Sequence, residues 1–270
     1  MIFFWRVRYS FAVLTKILFY IMKNLFLSAA LALGTVAFAQ NNYDLTEQYG
    51  NGNSATVLQM GMDNDNHIYQ VGDGNIAETT QDGVDNDNES TSFGNSNEIY
   101  VDQFGMGNEN DTYQEGDGNL ATVDQDGIYN MNIQNQYGND NEAETTQSGD
   151  SNYTNQYQDG TINWAVSDQA GTGNEAYQTQ YGDWNWAFSN QAGTGNLVIQ
   201  YQNGYAHTAD AVQSGTNNYI DQWQVGTWNY AVDQQFGSDN YSFITQSGDG
   251  HAHYGYQFGN SNSMVVTQTN

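Results

Sequence analysis

The chain has 270 residues, with 31 acidic and only 4 basic side chains, no cysteine and no proline. The four basic residues, Arg6, Arg8, Lys16 and Lys23, precede every acid, so the chain beyond them carries a formal charge of −31. That excludes nucleic-acid binding, which draws on lysine and arginine against phosphate, and the absence of cysteine excludes disulfide stapling.

In chain order, the first element is a targeting segment. Met22 to Ala39 holds one lysine, an apolar run from Leu25 to Val36 and the small-x-small sequence Ala37-Phe38-Ala39. These are the n-region, h-region and cleavage site of a secretory signal peptide. Residues 1–21 are also apolar and basic; they could extend the signal or anchor the chain, but Met22 reads better as the true first residue. The expectation is a signal region over 1–39 with cleavage after Ala39, a short leader over 40–47, and a mature, secreted chain without a membrane span.

Residues 48–270 are a repeat. Glutamine returns at every eleventh position from Gln48 to Gln268, with Ser92 the single interruption in twenty units. Glycine stands two places into every unit, and asparagine five places in for eighteen, with His207 and His251 in the other two. Low hydrophobicity with high charge ordinarily signals disorder; an uninterrupted 11-residue register does not. Asn-x5-Gln is a good length for one strand, and x-Gly-x-x reads as a tight turn in which glycine supplies positive φ.

Side chains alternate faces along a strand, so offsets 5, 7, 9 and 11 of each unit share one face. Among all the positions at those offsets Asp233 is the single acid, and every aromatic between Gln48 and Gln268 falls elsewhere. That face is the interior. At offset 7, eight of ten odd-numbered units carry alanine, from Ala55 and Ala77 to Ala231, whereas even-numbered units carry it once, at Ala176, and more often carry Asn66, Asn88, Asn110, Asn132, Val198 or Ile220. The structural period is therefore two units. The expected fold is all-β: a β-solenoid of about ten two-strand rungs, built from 11-residue half-repeats with amyloid-like stacking.

Rungs about 4.8 Å apart bring identical residues above one another as amide ladders. The ladder set comprises Gln48, Gly50, Asn53, Gln59, Gln70, Gly72, Asn75, Gln81, Gln103, Gln114, Asn119, Gln125, Gln147, Gln169, Asn174, Gln191, Asn196, Gln213, Gln235, Gln257, Asn262 and Gln268. Each buried amide finds partners above and below, which orders a chain with little aliphatic content. With no lysine or proline in the repeats to blunt a strand edge, the last rung is expected to be open to stacking.

The remaining chemistry is sparse. Acids such as Asp73, Asp117 and Asp159 flank the glycines and read as a solvated face that slows lateral aggregation; cation binding between stacked carboxylates is the sharper reading. His251 and His253 share the inward phase and read as substitutes in a terminal rung, not metal ligands. Aromatics at offset 6, such as Trp164, Trp186, Tyr219, Tyr230 and Tyr241, suit either lateral packing or a plain strand surface. Gly72-Asp-Gly74 lacks the lysine of a phosphate loop. No catalytic, cofactor or metal site is expected.

The unit Gln70-Val-Gly72-Asp-Gly-Asn75-Ile-Ala77-Glu-Thr-Thr-Gln81 resembles the curlin repeat of bacterial curli subunits, and the resemblance spans residues 48–268. It implies export through an outer-membrane pore with accessory factors, a nucleating subunit, and self-assembly into homopolymeric extracellular fibres for adhesion and biofilm matrix. The absence of basic end repeats favours the bulk over the nucleating subunit. Ten rungs are about twice the familiar count, and the short leader puts the family's export-targeting segment in doubt. The main alternative is a solitary acidic β-solenoid at the cell surface that binds a polysaccharide, ice or cations, although the mixed outward residues at offset 8 lack an ice-binding threonine array.

Overall fold

A computed structural model describes residues 41–270. The signal region, with Met22 and the cleavage site after Ala39, lies outside the described residues.

Each repeat unit yields one strand, because alternation of inward amide or alanine with outward polar and aromatic residues is a period-2 pattern. The first strands are β1 (Tyr43–Tyr49), β2 (Ser54–Met62), β3 (Asp65–Val71) and β4 (Ile76–Val84); the last are β20 (Ala252–Asn260) and β21 (Ser263–Thr269). Twenty-one strands form two parallel sheets, eleven odd-numbered strands in one and ten even-numbered in the other. Every strand pairs with the next strand but one in exact column, Gln48 opposite Gln70 and Ala55 opposite Ala77. The chain is thus an all-β solenoid of about ten turns, alternating between sheets and climbing one rung with every second strand.

Two details differ from the sequence expectation. Residues 43–47, read as leader, belong to β1, which pairs with β3 over its whole length. Asn42, Asp44, Thr46 and Gln48 continue the inward alternation, so β3 provides an edge on which they order. Most strands are also longer than the Asn-x5-Gln segment, and the repeat glycine lies inside the strand end, as Gly61 does in β2 and Gly83 in β4. The turn proper sits two places further on, where each unit has a second positive φ. Gly52 and Gly74 hold it in some units, but Asp85, Ile162 (φ 58°) and Trp184 (φ 61°) hold it in others.

The glycine is required for a different reason. Gly72 has φ 124°, and a Cβ there would run into the carbonyl of Gly94 on the next rung, as one on Gly50 would meet that of Gly72. The backbone arcs stack too closely for any side chain. At Gly173, on the second position, a Cβ would meet open space.

The interior is thin. Alanines such as Ala121, Ala143 and Ala165 line the ten-stranded sheet, and the larger inward residues Asn110, Asn132 and Ile220 belong to the other. Apolar packing is confined to small clusters, one of Ile99, Val101, Ala121 and Val123, another of Val198, Ala211 and Ile220. Between them the buried residues are mostly asparagine and glutamine. No helix among the described residues is long and apolar enough to cross a membrane.

Candidate assembly interface and its amide ladders

In the ten-stranded sheet, Gln59, Gln81, Gln103, Gln125, Gln147, Gln169, Gln191, Gln213, Gln235 and Gln257 form one column. Each Nε2 donates to Oε1 of the next glutamine at 2.7 to 3.1 Å without a break. The same Nε2 groups donate across the interior to backbone carbonyls of the opposite sheet, as Gln81 does to Asp65 O at 2.7 Å and Gln147 to Met131 O at 2.9 Å. A glutamine therefore ties together two rungs and two sheets. Spread over the column, these bonds satisfy amides whose burial alone would cost about 1–3 kcal/mol each.

The eleven-stranded sheet has the equivalent column. Gln48 donates to Gln70 at 2.7 Å, and the run resumes from Gln114 to Gln268 at 2.7 to 3.0 Å. Ser92 interrupts it: its hydroxyl reaches Gln114 Oε1 at 3.3 Å but leaves Gln70 Nε2, fully buried, without a partner. Ser92→Gln should close the gap and raise stability by about 1–3 kcal/mol, read as a higher denaturant midpoint. An unchanged or lower midpoint would count against the ladder.

Asparagines at offset 5 hold the arcs. Asn53 Oδ1 accepts from Asn75 N at 2.9 Å while its Nδ2 donates to Gly72 O at 2.9 Å. Asn119, Asn174, Asn196 and Asn262 repeat the pattern, each backbone N donating to the asparagine one rung below at 3.0 to 3.2 Å. His207 and His251 occupy the same position; Nε2 of each ring lies 3.2 and 3.1 Å from a backbone carbonyl, and burial holds the His207 pKa below its ordinary value.

Two further ladders have no counterpart in the sequence reading. Gln134, Gln156, Gln178, Gln200 and Gln222 stack at offset 9, every step 2.9 Å. Asp44, Asn66, Asn88, Asn110 and Asn132 stack at offset 7 at 2.7 to 2.8 Å, with Asp44 accepting at the bottom. Where the first of these stops, Asp233 from the opposite sheet takes the last amide: Gln222 Nε2 donates to Asp233 Oδ2 at 3.0 Å. Fully buried Asp233 also accepts from Ser242 at 3.2 Å and lies 3.3 Å from His253 Nε2. The one inward acid of the twenty units is thereby compensated on three sides.

Outward side chains form columns too. Tyr49, Tyr69, Phe93, Tyr113, Tyr137, Tyr157, Tyr181, Tyr201 and Trp223 make a continuous aromatic run with centroids 3.9 to 5.9 Å apart. Trp164 stacks on Trp186, and Tyr219 on Tyr241. Acids stack likewise: Asp65, Asp87 and Glu109 succeed one another on three rungs. Partial burial, then Asp65, Glu109 and Glu89, raise the Asp87 pKa above its ordinary value. Burial is also the first cause of upward shifts at Asp111, Asp124, Glu144, Asp168, Asp210 and Asp221. Among the described residues no three His, Asp or Glu are grouped to hold a metal ion.

Stability therefore depends on pH. The folded chain retains protons on these carboxylates that the unfolded chain has already lost, so stability falls as pH rises through that window. Acidification from neutrality toward pH 4 should raise the denaturant midpoint, and salt at neutral pH should reproduce part of the gain by screening. A midpoint that drops between pH 7 and 4.5 would refute this.

Among the described residues, the ends of the solenoid carry the unpaired strand edges. Among the described residues, Gln48 and Gln59 on the first rung accept from no glutamine, and Gln257 and Gln268 on the last have no further glutamine to donate to, so these two columns run from acceptor ends to donor ends. The edges of β1, β2, β20 and β21 each carry backbone groups with a partner on one side only. Residues 40–72 and 224–248, which include the first and one of the last units, match the family model of the curlin associated repeat. No curated protein matches the chain significantly. The two matched regions lie in one unbroken register of stacked units, and over both of them the chain carries the curlin associated repeat.

Proposed function

We propose that the chain is a secreted structural subunit that polymerises end to end into extracellular curli-like amyloid fibres, serving adhesion and biofilm matrix as the bulk component. The observation that carries this is the pair of open ends with opposite hydrogen-bonding polarity. Among the described residues, the two glutamine columns that run the length of the solenoid end in Oε1 groups that accept from no glutamine and in Nε2 groups with one N–H to spare, on strand edges that are not blunted by lysine or proline. Addition of a second copy satisfies both sets together with the backbone groups of the edge strands, as each internal rung does for its neighbour.

The family implies the rest of the reading: passage through an outer-membrane pore with accessory factors, and a nucleating subunit that starts growth. The high negative charge keeps monomers apart until an end is available. Nothing in the ladders calls for catalysis, and the recurring chemistry is that of a building material.

Incubation of the purified chain should give thioflavin-positive filaments that seed further growth and diffract near ~4.8 Å along the fibre axis. A chain that stays monomeric at high concentration, with or without seeds, would overturn the proposal in favour of a solitary solenoid.

A further inference from the structure

The two ends do not meet in the simplest way. The first described strand, β1, and the last, β21, both belong to the eleven-stranded sheet. A second copy placed directly above the first, sheet over like sheet, would set its β1 on β21. Its β2 would then lie two rungs above β20, leaving a one-strand gap in the ten-stranded sheet. Because the half-repeats are alike in both sheets, a half-turn about the fibre axis removes that gap: β1 of the incoming copy continues the column of β20, and its β2 continues that of β21. We propose that successive copies dock with this half-turn, each ten-stranded sheet extended by the eleven-stranded sheet of the next copy. The proposal rests on the end-to-end assembly reading and fixes its geometry.

Two features of the edge residues support it. Aligned on the glutamine columns, the half-turn brings Gln48 over Gln257, Asp44 over His253, Leu45 over Tyr254 and Tyr49 over Phe258. Direct stacking would bring the same four residues over Gln268, Met264, Val265 and Thr269. Charge separates the two. Asp44 occupies the inward phase, where it accepts from Asn66 at 2.7 Å and is exposed only because it lies on the end rung. Docking buries its carboxylate. Over Met264 it would gain no donor and would lose water, which is costly for a charge; over His253 it meets an imidazole held 3.3 Å from Asp233 by one ring nitrogen, with the other making no hydrogen bond among the described residues.

Aromatic continuity points the same way. The long aromatic run of the eleven-stranded sheet ends at Trp223, and the outward residues that follow on that side are Thr245, Ser247, Thr267 and Thr269. At the top of the ten-stranded sheet, by contrast, Phe236 and Phe258 stack at 5.1 Å. Phe258 is 69% exposed and Tyr49 54% exposed, each lacking its neighbour on one side. The half-turn joins Phe236 and Phe258 to Tyr49 and Tyr69, so that one aromatic column passes from copy to copy, whereas direct stacking leaves Tyr49 on Thr269.

The chain has no cysteine, so the junction can be read by cross-linking. Leu45, Tyr254 and Val265 all point outward and are exposed at the ends. Neighbouring parallel strands set facing Cα atoms about 4.8 Å apart, within disulfide reach. Filaments of full-length Leu45→Cys/Tyr254→Cys, oxidised and then dissolved without reductant, should run as a ladder of covalent multimers, and Leu45→Cys/Val265→Cys filaments as monomers. The reverse pattern, equal linking by both pairs, or linking by neither would overturn the half-turn while leaving end-to-end assembly standing. Unmodified filaments give a second reading independent of the variants. Twenty-one strands over two sheets span about 50 Å, so the half-turn requires an axial repeat of about 100 Å by electron cryo-microscopy; a repeat of one subunit would overturn it. A chain that forms no filaments at all would overturn the assembly reading, and this one with it.

Discussion

Triple replacement of Gln147, Gln169 and Gln191 by alanine is expected to abolish filament growth and to unfold much of the soluble chain. These three side chains sit mid-column in the ten-stranded sheet and make the contiguous bonds from Gln125 through to Gln213. Removing them leaves Gln125 Nε2 without its glutamine acceptor and Gln213 Oε1 without a donor. It also strips donors from the carbonyls of Met131, Tyr153 and Glu175 in the opposite sheet. Each buried orphan costs about 1–3 kcal/mol, and the total is comparable with the whole stability of an ordinary domain, about 5–15 kcal/mol. Thr146→Ala/Asn190→Ala, on the outer face of the same sheet, should shift the denaturant midpoint little, since surface changes are worth about 0.5 kcal/mol or less. Filaments of the triple variant growing at the native pace would show that the amides are bystanders.

A second large effect is expected at the arcs. Gly127 has φ 140°, a conformation nearly confined to glycine, and a Cβ there would collide with the carbonyl of Gly149. Neither group can move without breaking the stack, because both are backbone in adjoining rungs. Gly127→Ala should therefore cost about 3 kcal/mol or more and delay or prevent filament formation. Gly173→Ala is the matched control: its φ of 62° is in the left-handed region, and the added methyl meets nothing within 4 Å. Several non-glycine residues already tolerate that position, so the loss should stay near ~1 kcal/mol. Equal losses at the two sites would mean that arc packing between rungs does not limit the fold.

The contrast between those two glycines also marks what sequence could and could not reveal. A strict requirement for Gly at offset 2 leaves a column with twenty occurrences, because no other residue fits between stacked carbonyls. The left-handed turn at offset 4 leaves no such column: there is room for a side chain, and Ile162, Trp184 and Trp228 accept the strain. Inward phase was legible because acids and aromatics are sorted by face across all the units. The Gln134–Gln222 ladder was not, since it occupies offset 9 in only five even-numbered units and is diluted by the valines, threonines and serines at that offset elsewhere. Strand β1 escaped notice for a related reason. Ala37 and Ala39 stand where the repeat would place glutamine and glycine, yet a strand at a sheet edge needs only its own alternation and a neighbour to pair with. Asp44 then passes as one more surface acid, although its partner Asn66 places it at the foot of an interior ladder.

The physical core of the molecule is that hydrogen-bonded amides substitute for apolar packing. Aliphatic clusters are small and separated, and the surfaces that alternate with them are glutamine and asparagine columns. Every step of the unbroken column in the ten-stranded sheet is 2.7 to 3.1 Å. Such columns are directional. They reward exact register and extend by addition of an identical rung, properties that a fluid apolar core lacks.

Side-chain hydrogen exchange tests this most directly. In the folded chain, the Nε2 protons of Gln81, Gln103, Gln125 and Gln147 should exchange as slowly as the backbone amides of the strands that carry them, and the single amide of Gln70 that faces Ser92 faster than these. Side-chain amides that exchange at the rate of free glutamine while the backbone stays protected would contradict the ladder and, with it, the basis for fibre growth.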